Sequence, residues 1–165
     1  MPVIDRPTIA ACFEGSGSAA VGQALWASVI AACNAILKAG VSDTKSLTFV
    51  YLRRCWAHHN HGDWSEAQAD CGQAIQRSSN RPSAPAFEIR ASDDDYLQQY
   101  SAAISDATNA IRLNPKNATS YVTRGLAYEY TGDKRRAVAD LSEALRLNPK
   151  LAVQIRLWSR LMPAP

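Results

Sequence analysis

Apolar residues recur three and four positions apart along most of this chain. Between Ala19 and Lys38 they fall at Val21, Leu25, Val29, Ala32, Cys33, Ile36 and Leu37, the stripe of one amphipathic helix, and Gly40 ends it. From Leu151 to Met162 a second stripe, Leu151, Ile155, Trp158 and Leu161/Met162, leaves Gln154, Arg156 and Arg160 for water. Between these ends, periodicity and punctuation predict helices near 44–60, 64–77, 84–97, 99–113, 118–131 and 134–147. Gly62-Asp63 and Gly132-Asp133 are turn signals: glycine leaves one helix in a left-handed conformation and aspartate caps the next. Asn114-Pro115 and Asn148-Pro149 are stops, because proline cannot continue the hydrogen-bond ladder. Ser78 to Pro85 and Gly15 to Ser18 are loops, and Thr8 to Cys12 is expected to form a short helix returning on the first stripe. The pattern is all-α.

The helices repeat. Ser105 to Pro115 recurs as Ala139 to Pro149, an offset of 34 residues. In the last copy Tyr121, Arg124-Gly125, Thr131-Gly132-Asp133, Ala137, Leu141, Ala144 and Pro149 stand in register. Moving back 34 residues finds Phe87, Arg90-Ala91, Ala103 and Ala110; moving back a further 36 finds Tyr51, Arg54-Cys55, Gly62-Asp63, Ala67 and Ala74. These columns resemble the tetratricopeptide repeat. The resemblance implies an α-α superhelix, a solenoid of antiparallel helix pairs. It divides the chain into an N-terminal segment and capping helix (1–47), three repeats (48–83, 84–117 and 118–151) and a C-terminal cap and tail (152–165). In each repeat the aromatic fills the gap between two helices, and the small residues let backbones approach. The middle copy departs most: Ser92-Asp93-Asp94-Asp95 replaces the apolar end of its first helix, and its turn glycine is missing.

Two columns carry opposite charge. Arg54, Arg90 and Arg124 each precede Asp70, Asp106 and Asp140 by 16 residues. Threefold recurrence with a counter-charge points to structural ion pairs within or between repeats rather than to a grip on an acidic ligand.

Solenoids of this kind are binding scaffolds more often than enzymes. The resemblance implies that the first helix of each repeat lines the concave face. That would place Leu52, Trp56, His59 and Asn60, then Glu88, Ser92, Asp95 and Tyr96, then Val122, Leu126, Glu129 and Tyr130 against a protein or peptide partner. Centred on Trp56, Tyr96, Leu126 and Tyr130, this face suits a partner with apolar anchors and some positive charge. Family members that grip an acidic tail use Lys and Asn early in the groove; here Leu52 and Trp56 hold those places. The competing occupant is the protein itself, through its own termini or a second copy.

Charge is uneven: residues 1–80 are neutral, 81–110 carry −3 and 111–165 carry +6. The basic run Lys134-Arg135-Arg136 opens a helix whose other face is apolar, and no interleaved aromatics mark a nucleic-acid platform, so no nucleic acid is expected. No run is long and apolar enough to span a membrane.

The four cysteines admit two states. Cys55 and Cys71 lie on facing helices of the first repeat, and Cys12 and Cys33 can tie the amino-terminal segment to its helix; otherwise all four are buried thiols. The arrangement of a cysteine-containing first helix before these repeats looks like small exported repeat proteins of alphaproteobacteria, implying a periplasmic or secreted location, with the cytoplasm as the alternative. All three histidines sit at His58, His59 and His61. With Cys55 and Cys71 they define an alternative reading, a metal- or redox-responsive protein. His58 occupies the packing column of Tyr128, which favours a structural role, and no cofactor is expected. There is no phosphate-binding glycine loop and no oriented nucleophile, so no enzyme is expected.

Overall fold

The computed structural model describes residues 5–14, 22–41, 43–78, 82–152 and 155. They form helices α1 (Arg6–Glu14), α2 (Gln23–Lys38), α3 (Thr44–His61), α4 (Trp64–Arg77), α5 (Ala84–Tyr96), α6 (Tyr100–Leu113), α7 (Ala118–Tyr130) and α8 (Lys134–Leu147). A 3₁₀ turn, Pro149–Leu151, follows. The expected helix over 151–161 lies almost entirely outside the described residues; of its core positions Leu151 ends the 3₁₀ turn and Ile155 is buried, both in the cluster of Val122, Leu141 and Ala144. Among the described residues there is no strand, and no helix is long and apolar enough to cross a membrane.

Each helix packs on the next, and the odd-numbered helices also touch one another, α1 with α3, α3 with α5 and α5 with α7. That second set of contacts makes the odd helices the inner face of a curved stack. The Thr8–Cys12 segment extends to a full helix, so α1 and α2 form a helix pair like those that follow. Cys12 is joined to Cys33 within this pair, with Cα atoms 5.1 Å apart.

Local chemistry sets most helix ends. Asp43 caps α3 by accepting from the Lys45 and Ser46 amides, Asn117 caps α7, and Asp133 caps α8 by accepting from the Arg136 amide. Gly62 and Gly132 turn the chain at φ 95° and 85°. The expected cap at Asp63 is absent: its carboxylate is taken by His58 and His61 at 3.0 and 2.9 Å, so it caps nothing at α4. In the middle repeat Gln98 occupies the turn-glycine column and adopts φ 58°, a left-handed conformation that costs a residue with a Cβ roughly 1 kcal/mol or more.

The core changes character along the stack. Around α2 it is built from Trp26, Val29, Ile36 and Val50. The middle repeat is packed on alanines: Ala86, Ala91, Ala103, Ala107 and Ala110 are all buried. The last repeat again uses larger groups, Val122, Leu141 and Ile155.

Candidate functional site

The arginine and aspartate columns meet in every repeat. Arg54 donates through Nε and Nη2 to Asp70 at 2.6 and 2.6 Å, Arg90 to Asp106 at 2.5 and 3.0 Å, and Arg124 to Asp140 at 2.7 and 2.8 Å. The three carboxylates are buried. Each guanidinium also lies over the aromatic three residues before it: Arg54 is 5.6 Å from Tyr51, Arg90 5.8 Å from Phe87 and Arg124 5.8 Å from Tyr121. The carboxylate bonds hold the guanidinium protons more tightly than usual, against the opposing effect of burial. Nη1 reaches the preceding helix pair, at Asn34 Oδ1 from Arg54 and at Thr108 Oγ1 from Arg124. For Arg90 the facing residue is Gly72, which offers no side chain. These are arginine–aromatic–carboxylate units satisfied from within.

Directly after each arginine and aspartate stand Cys55 and Cys71 in the first repeat, the buried Ala91 and Ala107 in the second, and Gly125 and Leu141, which pack together, in the third. Cys55 and Cys71 are bonded, with Cα atoms 5.3 Å apart. Their sulfurs therefore offer no thiolate to a metal. The histidines are turned to carboxylates: His58 and His61 to Asp63, and His59 to Asp93 at 2.6 Å. Hydrogen bonding from His58 first, and from His61, holds the Asp63 carboxyl below its usual range.

The twelve residues expected on the concave face divide sharply. Trp56 is half-buried, edge-on to Trp26 at 4.7 Å and beneath the Arg53 guanidinium at 5.1 Å. It thus packs α2 onto the stack. Val122 is corrected as an open contact: it is buried with Leu141, Ala144 and Ile155, and Leu126 packs on the same cluster. Asn60 donates back to the Trp56 carbonyl at 2.7 Å. His59, Glu88, Ser92, Asp95 and Glu129 are half-buried, and Leu52 packs beside Cys55 and Cys71. Leu52 also borders an open cavity of about 760 Å³ with Thr44, Lys45, Thr48, Phe49, Arg77 and Ser78. Only Tyr96 and Tyr130 remain strongly exposed, at 56% and 65%.

Both exposed tyrosines belong to stacked pairs. Tyr96 lies flat on Trp64, with centroids 4.6 Å apart and planes 6° from parallel; Tyr130 lies flat on Tyr100 at 4.6 Å and 9°. Each pair joins the end of an inner helix to the start of an outer one, and the two pairs are one repeat apart. Trp64 and Tyr100 were missed as site residues, although their equivalence at an offset of 36 is visible in the sequence.

Carboxylates stand at the same ends of α5 and α7. Asp93 is fully buried; its Oδ1 meets His59 and its Oδ2 has no hydrogen-bond partner. Asp95 Oδ1 and Glu129 Oε2 are also buried without partners. Burial pushes the carboxyls of Asp93, Asp95 and Glu129 up. Asp94, which accepts from Gln68 Nε2, is pushed up to about 6, chiefly by burial. Two of the three consecutive aspartates point to different neighbours, Asp93 to α3 and Asp94 to α4.

Residues 118–151 match the family model described as the tetratricopeptide repeat. No curated protein matches the chain in sequence. Among solved structures, MamA is similar at 22% identity and TM-score 0.67, covering 77% of this chain and 71% of that one. The TPR domain of Arabidopsis OM64 is similar at 24% identity and TM-score 0.65, over 73% of this chain and 100% of that one. YrrB, described as a TPR protein with an unusual peptide-binding site, is similar at 14% identity and TM-score 0.69, over 82% and 68%. At these identities the likeness establishes fold. Residues 118–151 thus match a tetratricopeptide repeat, and over about three quarters of its length the chain has the fold of a tetratricopeptide-repeat solenoid.

Proposed function

We propose that this protein is a non-enzymatic scaffold that binds a protein or peptide along the inner face of its solenoid. The observation that carries the reading is the pair of exposed tyrosines, Tyr96 and Tyr130, held by stacking at equivalent ends of two inner helices. Aromatic side chains fixed in this way bury much area while losing little rotamer freedom. Glu88, Asp95 and Glu129 stand on the same inner helices and favour a basic partner. The peptide-binding site named for YrrB supports the reading by likeness of fold alone. Trp56, Val122 and Leu126 serve the stack, and the contact surface centres on the ends of α5 and α7.

The test is selection from a random-peptide display library on the full chain, repeated with the Tyr96→Ala/Tyr130→Ala variant. Loss of about tenfold or more in affinity for the selected peptides, with unchanged helical circular dichroism, is the expected result. Equal affinity for both proteins would move the site elsewhere.

Two bonded cysteine pairs support an oxidising compartment, the periplasm or the exterior. Thiol titration of denatured protein prepared without reductant should find none of the four cysteines reactive; four reactive thiols in protein from its native cell would place it in the cytoplasm.

A further inference from the structure

Residues 93–100 end α5, turn the chain and begin α6. They supply one ring to each exposed stack, Tyr96 against Trp64 and Tyr100 against Tyr130. The turn between those rings hangs on the aspartates before it. The amides of Leu97, Gln98 and Gln99 donate to the carbonyls of Asp93, Asp95 and Asp94. Gln68 Nε2 ties the Asp94 carboxylate to Gln99 Oε1, and Gln98 sits at φ 58°. The segment that positions both stacks is therefore built on two carboxyl groups, Asp93 and Asp94, that are 0% and 2% exposed.

Little around these carboxyls favours their charge. From α3, His59 Nδ1 meets Asp93 Oδ1 at 2.6 Å, and Asp93 Oδ2 has no partner. From α4 the uncharged Gln68 donates to Asp94. From α6, Asp106 opposes the Asp94 charge; Arg90, on α5 itself, favours it but is bonded to Asp106. Asp93 also opposes the charge of Asp94. Among the described residues α7 brings no charged group to either, and neither forms a salt bridge with a lysine or arginine. Burial pushes both carboxyls up, Asp94 to about 6. In the last repeat Ala127 and Tyr128 hold the same two places.

We propose that Asp93 and Asp94 form a proton-operated latch on the tyrosine platform: protonated, they close the end of α5 and fix Tyr96 and Tyr100; ionised, they let residues 93–100 open. A carboxylate buried without a counter-charge is less stable than one in water, and opening this segment returns it to water. The closed form is favoured fully below the ordinary Asp94 value of 3.8 and loses that advantage as pH rises to about 6. The last repeat has no aspartate at these places, so the opening is confined to the middle one. The platform is thus firmest in acid. The latch belongs to the platform itself and holds whatever ligand the platform takes.

Amide hydrogen exchange on the full chain, corrected for the intrinsic pH dependence of exchange, reads this opening. Protection of the Leu97 and Gln99 amides should fall about tenfold or more between pH about 4.5 and about 7. The equivalent amides of the last repeat, Thr131 and Asp133, donate to the carbonyls of Ala127 and Tyr128 and should change much less. Asp93→Asn/Asp94→Asn should keep Leu97 and Gln99 protected at both pH values. Asp94→Asn alone should remove most of the fall, which keeps the test decisive if the double variant does not fold. Protection that is independent of pH in the wild type overturns the latch. So does an equal loss at Thr131 and Asp133, which would mean that the whole stack loosens. A fall that survives the substitutions would assign the proton to His59 or elsewhere, and overturns it too.

Discussion

The middle and last repeats share one frame and fill it differently. Both place an arginine between a ring and a buried aspartate, Arg90 on Asp106 and Arg124 on Asp140. Both join an inner helix to an outer one through closely packed small groups. The last repeat obeys every local rule: Gly132 takes the left-handed turn, Asp133 caps α8, and its first helix ends in apolar and aromatic residues. The middle repeat puts Gln98 in the left-handed position, leaves α6 without a side-chain cap, and buries Asp93 and Asp94 where the last repeat has Ala127 and Tyr128. The exceptions sit together at the end of α5, beside the exposed stacks. A frame kept intact around a locally unfavourable patch indicates that the patch serves something other than stability.

The largest expected effect tests the shared frame. Arg124→Ala strands the buried Asp140 carboxylate and should cost about 2–4 kcal/mol in a urea melt. Arg90→Ala should cost a similar amount through Asp106. A loss at Arg124 with none at Arg90 would show that the middle repeat does not depend on the frame it displays.

Asp94 tests the patch. Its carboxyl lies near 3.8 when unfolded and about 6 when folded, so the folded state binds the proton more tightly. Wild-type stability should therefore fall as pH rises from about 4 to about 6, and stay level above that. Asp94→Asn keeps an acceptor for Gln68 and removes the charge. It should be more stable than wild type by on the order of 1–3 kcal/mol at neutral pH, with little difference at pH about 4. Parallel melts at the two pH values check this; a constant offset would mean that the carboxylate is not the source of the cost.

A smaller effect is expected where the last repeat packs most closely. A Cβ at Gly125 would meet Leu141 Cγ at 3.0 Å and the Ala137 carbonyl at 3.3 Å. Gly125→Ala should cost about 1–2 kcal/mol. In a Leu141→Ala background, which recreates the Ala91–Ala107 pair of the middle repeat, that cost should fall by about 1 kcal/mol. Strict additivity in the four-variant cycle would deny the contact.

The smallest effect concerns the turns. Gln98→Gly should stabilise by about 1 kcal/mol, and Gly132→Ala should destabilise by about as much, because only glycine reaches positive φ without steric cost. If Gln98→Gly also weakens peptide binding, the strained turn contributes to holding the Tyr96 and Tyr100 rings in place.

Much of the fold is determined by short-range pattern. Period, turn glycines and the alanine columns place α3 to α8 within a few residues, and Arg54 with Asp70, recurring at the same interval in every repeat, is an arithmetic signal of contact. The candidate site is another matter. That Trp56 would be covered by Trp26 depends on how the nonrepeating α2 docks, and no period in the chain encodes that docking. Val122 lost its place on the inner face because Ile155, beyond the last repeat, packs against it. The stacks of Trp64 with Tyr96 and Tyr100 with Tyr130 join residues at adjoining helix ends, where side-chain direction, and not spacing, decides contact. The burial of Asp93 was equally hidden, since a run of aspartates looks like a solvated surface until neighbouring helices close over it. Sequence alone determined the repeat, its frame and its small-residue contacts, because each is a local rule stated several times over. Tertiary structure alone decided which aromatics stay open and which carboxylates lose their water, because both are set by what the rest of the chain happens to cover.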